Sequence, residues 1–412
     1  MKQFRTLFRN RRFVRLWLAG AISNVGDYIN SLALVKVLAA DPSHLGLYMS
    51  LIMVAKVLPG LVLGPVAGVV ADRFSRKAIM VISDLLRVGL VAGLVWATSP
   101  TAILTLVTLA AVVSVFFNPA AGAVLPEIAG TENLVTAGSL QVMTNRMAML
   151  LGNGLGAFLL ALMGVHNVFF LDAASFLFSA LMLLTIAIPR VAAPAREEPA
   201  KGIRGHFIAD LKEWLGFMKE SPAVRHLLTA FGIAGLGDSG VNILLIPFFT
   251  VGLGLAAEKL GYVLAALGAS AVVGALAVGA LGKKVHWRHL VTLGGIYVWV
   301  TATGTIVAHQ VVVSTAFLVL LGLGSGMINV GAQAATGTLV PDHLRGRIFA
   351  GWGMVAGLIT IAGTLVAGPL ADLFGSSNVL LAFSSCYLLA GLYSGWAFRG
   401  LKSTAPTSAS AD

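Results

Sequence analysis

Of 412 residues, 58% are hydrophobic and 11% are charged, and the mean hydropathy is +0.90. Soluble domains carry about 25% charged residues, so the composition excludes a soluble enzyme, a disordered regulator and a secreted disulfide scaffold, and leaves a chain that crosses a membrane repeatedly. Lys and Arg number 28 against 17 Asp and Glu; on a soluble protein this surplus of 11 would point to nucleic acid, but here the basic residues fall between apolar runs and read as topology.

The first fifteen residues carry six basic side chains and lead straight into apolar sequence. No small-residue cleavage site follows, so the segment reads as a cytoplasmic lead-in rather than a signal peptide. Apolar runs then occupy 13–39, 45–71, 78–98, 102–124, 138–163 and 167–189, and again 224–250, 259–282, 290–309, 312–336, 347–372 and 378–398. At about 20 residues per spanning helix, twelve crossings use about 240 residues, and helices are the open-chain solution that satisfies backbone hydrogen bonds in lipid. The expected fold is an all-α membrane protein of twelve transmembrane helices in two six-helix bundles.

With Met1 cytoplasmic, the loops near 72–77, 125–137, 190–223, 283–289 and 340–347 are cytoplasmic too, as is the tail. Only Lys36, Lys56, Arg146 and Lys259 then lie away from cytoplasmic loops, tails and adjoining helix ends. Both termini are therefore expected inside. The expected divisions are a bundle at 1–189, a linker at 190–223, a bundle at 224–398 and a disordered tail at 399–412. Within the linker, Phe207, Leu211, Trp214, Leu215 and Met218 share one helical face, which suits an amphipathic helix on the inner membrane surface or one packed on the protein's own loops.

The halves repeat. Leu45-Gly46 matches Leu260-Gly261, Gly64 matches Gly279, Gly122 matches Gly337 and Pro126-Glu127 matches Pro341-Asp342, all at an offset of 215. Gly26-Asp27 matches Gly237-Asp238 at 211. Two similarly oriented halves are how parallel-repeat transporters are built.

The loop after the second run reads Gly68-Val-Val-Ala-Asp72-Arg73-Phe-Ser75-Arg76-Lys77, followed by Asp84 and Arg87. It resembles the G-x-x-x-D-R-x-G-R-K signature of the major facilitator superfamily, with Ser75 where that pattern has Gly. Chemically it suits a cytoplasmic gate: Asp72 can face a positive helix N-terminus, while Arg73, Arg76 and Arg87 can pair with rim carboxylates. The plainer alternative is a basic positive-inside loop. Asn118-Pro119-Ala120, Leu125-Pro126-Glu127, Leu171 to Phe176 and Pro341 to Arg347, with Arg345, Gly346 and Arg347 as the second gate segment, resemble the drug:proton antiporter branch that includes macrolide-efflux proteins and enterobactin exporters. That resemblance implies proton-coupled export of a small amphipathic solute by alternating access, with protons and membrane lipids as the other partners, a monomeric state and the cell membrane as location.

An ionisable group at mid-bilayer costs about 3 kcal/mol or more, so such groups point to the site. Asp27 lies about 14 residues, or about 21 Å, into the first run, flanked by Asn24 and Asn30, and Asp238 lies at the equivalent depth of the seventh, with Asn242 one turn on. Lys56 reaches a similar level and Arg146 sits nearer the cytoplasm. In the resembled architecture Asp27 and Asp238 face a central cavity, with Asp27 as the leading proton-coupling carboxylate and Asp238 as partner or alternative. The competing reading of Asp27 is a permanent ion pair with Lys56. Asp172 and Asp372, near outer helix ends, read as solvated or capping groups. Tyr28, Phe116, Phe117, Phe248, Tyr297 and Trp299 are candidate cavity aromatics.

Gly152 to Gly156 and Gly322 to Gly326 lie inside apolar runs, where small residues permit close helix approach. No Walker loop, H-E-x-x-H or Cys cluster is present beside the single Cys386, so no cofactor, metal or catalytic chemistry is expected. Two further functional readings stay open: a lipid translocator like the lysophospholipid flippases of the same superfamily, and a non-transporting membrane sensor or scaffold.

Overall fold

The computed structural model describes residues 2–187, 221–281, 286–340 and 345–399. Among them every regular element is helical: α1 Lys2–Arg9, α2 Arg11–Leu38, α3 Leu45–Arg73, α4 Arg76–Gly93, α5 Pro100–Ala129, α6 Leu134–Leu184, α7 Pro222–Pro247, α8 Ala257–Leu281, α9 Trp287–Val307, α10 Val311–Leu339, α11 Arg345–Phe374 and α12 Ser376–Ala397. The linker helix expected near 207–218 and the tail from Ser403 lie outside the described residues.

Local chemistry sets the boundaries. Asn10 Oδ1 accepts from the backbone N–H groups of Arg12 and Phe13 at 3.0 and 3.3 Å, breaking α1 from α2. Ser75 Oγ caps α4 through Ala78 N at 3.4 Å, and Ser99 Oγ caps α5 through Ala102 N at 3.2 Å, just ahead of Pro100. Each supplies an acceptor to an otherwise unpaired N–H of a first turn. Pro59, Pro65, Pro119, Pro126 and Pro369 sit inside helices, a pattern that membrane helices tolerate.

Among the described residues, ten helical segments are long and apolar enough to cross a membrane. Two features separate this number from the expected twelve. The first is α2, which carries Asn24, Asp27 and Asn30 in its middle and is not among the ten. The second is α6, a 51-residue run that counts once although Gly164 breaks it with φ 77° and ψ 175°. At 1.5 Å per residue that run is about 77 Å long, more than twice the hydrocarbon thickness of about 30 Å. Many large apolar side chains are exposed, among them Val62, Trp96, Leu162, Leu276 and Leu373, more than a water-facing surface ordinarily carries.

The chain divides into two compact units, Met1–Ala200 with Phe249–Gly268, and Lys201–Phe248 with Ala269–Asp412. This division differs from the expected one in the placing of 249–268, which joins the first unit. Gly261 lies so close to Asn153 and Leu32 that a Cβ there would collide with both, and Lys36 forms an ion pair with Glu258. In the first unit α2 packs on α6 through Gly152 and Gly156, and a core of Leu7, Phe13, Met80, Val124, Leu140 and Leu183 lies beside the α3–α4 loop. In the second, Leu227, Trp287, Val291, Ala335 and Phe398 form a core, and Gly295 of α9 meets the backbone of α12 at Tyr387 and Gly391.

Candidate functional site

Helices α2 to α6 of the first unit line a cavity of about 460 Å³. From α2 come Asn24, Asp27, Tyr28, Asn30 and Ser31; from α3 comes Lys56; from α4 comes Arg87. Apolar residues of α4 and α5, including Leu90, Val91, Leu106 and Val107, complete the wall with Ser114 and Asn118. The lining is thus amphipathic, a mixture that suits small-molecule sites.

Asp27 is exposed on this cavity, deep along α2, and its carboxylate has no hydrogen-bond or ion-pair partner among the described residues. Lys56 Nζ donates to Ser31 Oγ at 3.1 Å. The two are not an ion pair, so the permanent Asp27–Lys56 bridge considered from the sequence is absent here. Both Lys56 and Arg87 nonetheless act on Asp27 through space. Asn24 lines the cavity and its Nδ2 donates to Asn145 Oδ1 at 2.9 Å. Arg146, next to Asn145, is exposed and is not among the lining residues.

Asp84 and Arg87, read from the sequence as part of a cytoplasmic gate, are placed differently. Asp84 is fully enclosed, accepts from Ser179 Oγ at 2.6 Å and pairs with Arg87. The Arg87 guanidinium is held between the rings of Phe117 and Phe176, at 4.7 and 4.4 Å from their centroids, an arrangement favourable to a cation. One helical turn along α4 separates the two side chains, so they meet each other rather than the rim. Asp172 also differs from expectation. It is 0% exposed, not solvated at a helix end, and accepts from Asn30 Nδ2 at 2.6 Å. Space for it comes from Gly26, where a Cβ would collide with Asp172 and Ser175. The i,i+3 spacing of Asp84 and Arg87 was a readable signal for their pairing; nothing in the pattern around Asp172 foretold Asn30.

The α3–α4 loop carries the remaining signature residues. Arg76 forms an ion pair with Glu127 on α5 and donates to Ala123 O at 3.3 Å. Lys77 Nζ donates to the carbonyls of Leu184 and Ile186, at 2.7 and 2.8 Å, at the end of α6. Asp72 and Arg73 are exposed, and Gly68 has open space beside it. Arg345, Gly346 and Arg347 open α11, with their side chains outside the described set, as are residues 341–344. In the second unit Asp238 accepts from Tyr387 Oη at 3.1 Å, and Asn242 Nδ2 donates to the Asp238 carbonyl at 2.8 Å.

A family model described as "Major Facilitator Superfamily" matches residues 16–357, with a second match over 227–411. The chain belongs to the major facilitator superfamily. It is similar to the uncharacterized MFS-type transporter YfiS of Bacillus subtilis (29% identical, covering 94% of this chain and 93% of that one). The multidrug efflux pump Tap of Mycolicibacterium fortuitum is 28% identical over 83% of this chain and 85% of its own. The enterobactin exporter EntS of Citrobacter koseri is 27% identical over 70% and 68%. Among solved structures, a bacterial homologue of the iron transporter ferroportin in its inward-facing state superimposes with a TM-score of 0.75 at 15% identity, over 95% of this chain and all of that one. As a major facilitator transporter, this is a multi-pass cell-membrane protein that moves a small molecule; it is not an enzyme.

Proposed function

We propose that this major facilitator protein is a proton-coupled exporter of a small amphipathic solute of drug, macrolide or siderophore type, working by alternating access as a monomer. The observation that carries the reading is an unpartnered carboxylate, Asp27, opening deep along its helix onto a half-polar cavity. A carboxyl so placed exchanges a proton with whatever water or solute fills the cavity, and a change in its neighbours changes its charge preference. The similarity to the efflux pump Tap and the enterobactin exporter EntS supports the export direction. Asp238, held by Tyr387, is the partner or alternative coupling group.

The topology that goes with this function is twelve crossings, with α2 as the first and α6 supplying two around Gly164, and with both termini cytoplasmic. The six-and-six division falls at 190–223, and the α3–α4 loop with the segment at 345–347 forms the cytoplasmic gate.

Ethidium movement in proteoliposomes with an imposed pH difference tests the proposal. Uphill, protonophore-sensitive movement lost in Asp27→Asn is the expected result. An Asp27→Asn protein that still accumulates ethidium against its gradient and still follows pH removes Asp27 from the coupling role.

A further inference from the structure

Two opposite charges reach the cavity of the first unit without meeting. Asp27 and Lys56 are both exposed and both line it. Among the described residues they form no ion pair with each other or with any other group. The Lys56 ammonium is turned instead to Ser31 Oγ, to which it donates at 3.1 Å. Ser31 follows Asp27 by one helical turn, and its own hydroxyl donates to the Asp27 carbonyl at 2.9 Å. A turn rises about 5.4 Å, so the two charges are offset by about that much along α2.

The remaining charged residue of the lining, Arg87, is already compensated. It pairs with Asp84, and its guanidinium lies between the rings of Phe117 and Phe176. Among the described residues the cavity therefore offers a solute one open carboxylate and one open ammonium. Ser31 takes one of the three N–H donors of Lys56, which leaves two. Ionisable side chains are costly within a span, and a pair that served only the fold would lower that cost by closing into a bridge.

We propose that this cavity selects an amphipathic zwitterion, a solute whose ammonium sits on Asp27 and whose acidic group sits on Lys56. The two charges of such a solute stand about a helical turn apart, as in a γ-amino acid, and its apolar body lies against Leu90, Val91, Leu106 and Val107. A plain cation gains Asp27 but meets the repulsion of Lys56, and a plain anion meets the reverse. The zwitterion gains both contacts, and the like-charge penalty rejects the other two. Taking the cavity as the solute's seat rests on the transport reading above; the charge pattern within it does not.

Equilibrium binding to the purified full-length protein, with no proton gradient, tests this with one scaffold in three charge forms. The zwitterion is β-phenyl-γ-aminobutyrate, the cation its methyl ester and the anion its N-acetyl derivative. The zwitterion is expected to bind about ten-fold more tightly than either, the worth of one charged hydrogen bond. Lys56→Met is expected to weaken the zwitterion to the level of the ester, while the ester binds as well as before or better. Asp27→Asn is expected to bring the zwitterion down to the N-acetyl form in the same way. A zwitterion that binds the parent no better than its ester and N-acetyl forms overturns the proposal. So does a preference that survives in Lys56→Met, which would put the acidic group on Arg87. If Lys56→Met does not fold, Asp27→Asn decides from the other side: a zwitterion that still binds that variant better than its N-acetyl form overturns the proposal. Uphill ethidium movement beside an unselective cavity removes the zwitterion and leaves the exporter reading; selective zwitterion binding without uphill movement does the opposite.

Discussion

Ser179 Oγ donates a 2.6 Å hydrogen bond to Asp84 Oδ2 and ties α6 to α4 where the carboxylate is fully enclosed. Arg87 supplies the counter-charge, and its own guanidinium is fixed by Phe117 and Phe176. Removing one member leaves the others buried without compensation. Ser179→Ala is expected to cost about 1–3 kcal/mol, and Arg87→Ala about 3–5 kcal/mol, because it strands a buried charge. Replacing Asp84 and Arg87 together by Leu is expected to recover most of the second loss. Melting temperatures of the purified variants check the order; an Arg87→Ala protein as stable as the parent would show that Asp84 is not the charged partner drawn here.

The seam between α2 and α6 is set by glycines of unequal importance. A Cβ at Gly152 would lie 2.5 Å from Tyr28 Cβ and 2.9 Å from the Val25 carbonyl, whereas at Gly154 the nearest atom is Ala265 Cβ at an ordinary 3.7 Å. Gly164 has open space but a φ of 77°, a conformation that costs a residue with a Cβ about 1–3 kcal/mol. Gly152→Ala and Gly164→Ala are therefore expected to lower the melting temperature, one by collision and the other by backbone strain. Gly154→Ala should leave it nearly unchanged. Equal losses at Gly152 and Gly154 would contradict this account of the seam.

Composition, hydropathy and the loop signature made the helical membrane fold and the family legible, because burial in lipid constrains every residue of a span in the same way. Asn24, Asp27, Asn30 and Lys56, which line the cavity of the first unit, stand out in the sequence for a related reason: polar groups are costly in a span. Asp84, Arg87 and Asp172 were misplaced because sequence depth gives a residue's level along a helix but not its azimuth. Azimuth decides whether a carboxylate meets water, a rim arginine or, as for Asp172, an asparagine 142 positions away. The join of 249–268 to the first unit was likewise invisible, since it depends on the close approach of Gly261 to Asn153 and Leu32.

At the α3–α4 loop, Arg76 and Lys77 do different work. Arg76 pairs with the Glu127 carboxylate, while Lys77 satisfies two carbonyls at the end of α6. Exposed and half-exposed ion pairs contribute about 0–1 kcal/mol, so Glu127→Gln is expected to leave melting almost unchanged. Its expected effect is on rate: ethidium movement slows several-fold, and the charge-exchanged pair Arg76→Glu with Glu127→Arg restores part of it. Lys77→Met, which orphans helix-end carbonyls, is expected to lower stability as well as rate. Unchanged transport in Glu127→Gln would mean that this pair takes no part in the moving contact.

Between α2 and α3 a small polar cluster carries an acid dependence. Asp41 Oδ1 accepts from Ser43 Oγ at 2.5 Å, while its Oδ2 accepts from Tyr48 Oη at 3.1 Å and lies 2.9 Å from His44 Nδ1. The hydroxyl of Ser43, followed by His44, holds the Asp41 carboxyl down to about 2, below the usual aspartate value of about 3.9. A carboxyl whose folded value is depressed contributes stability that is present above its unfolded value and is lost as pH falls towards the folded one. The contribution is therefore expected to be whole at neutral pH and to disappear between about 4 and about 2. Because the Asp41 side chain is 42% exposed, the effect on melting is small and is best read by difference. Parent and Asp41→Asn melting curves should lie apart by a constant amount above that window and converge within it. Convergence at a higher pH, or a gap that persists to the acid limit, would mean that the Ser43 and His44 contacts do not hold Asp41 ionised.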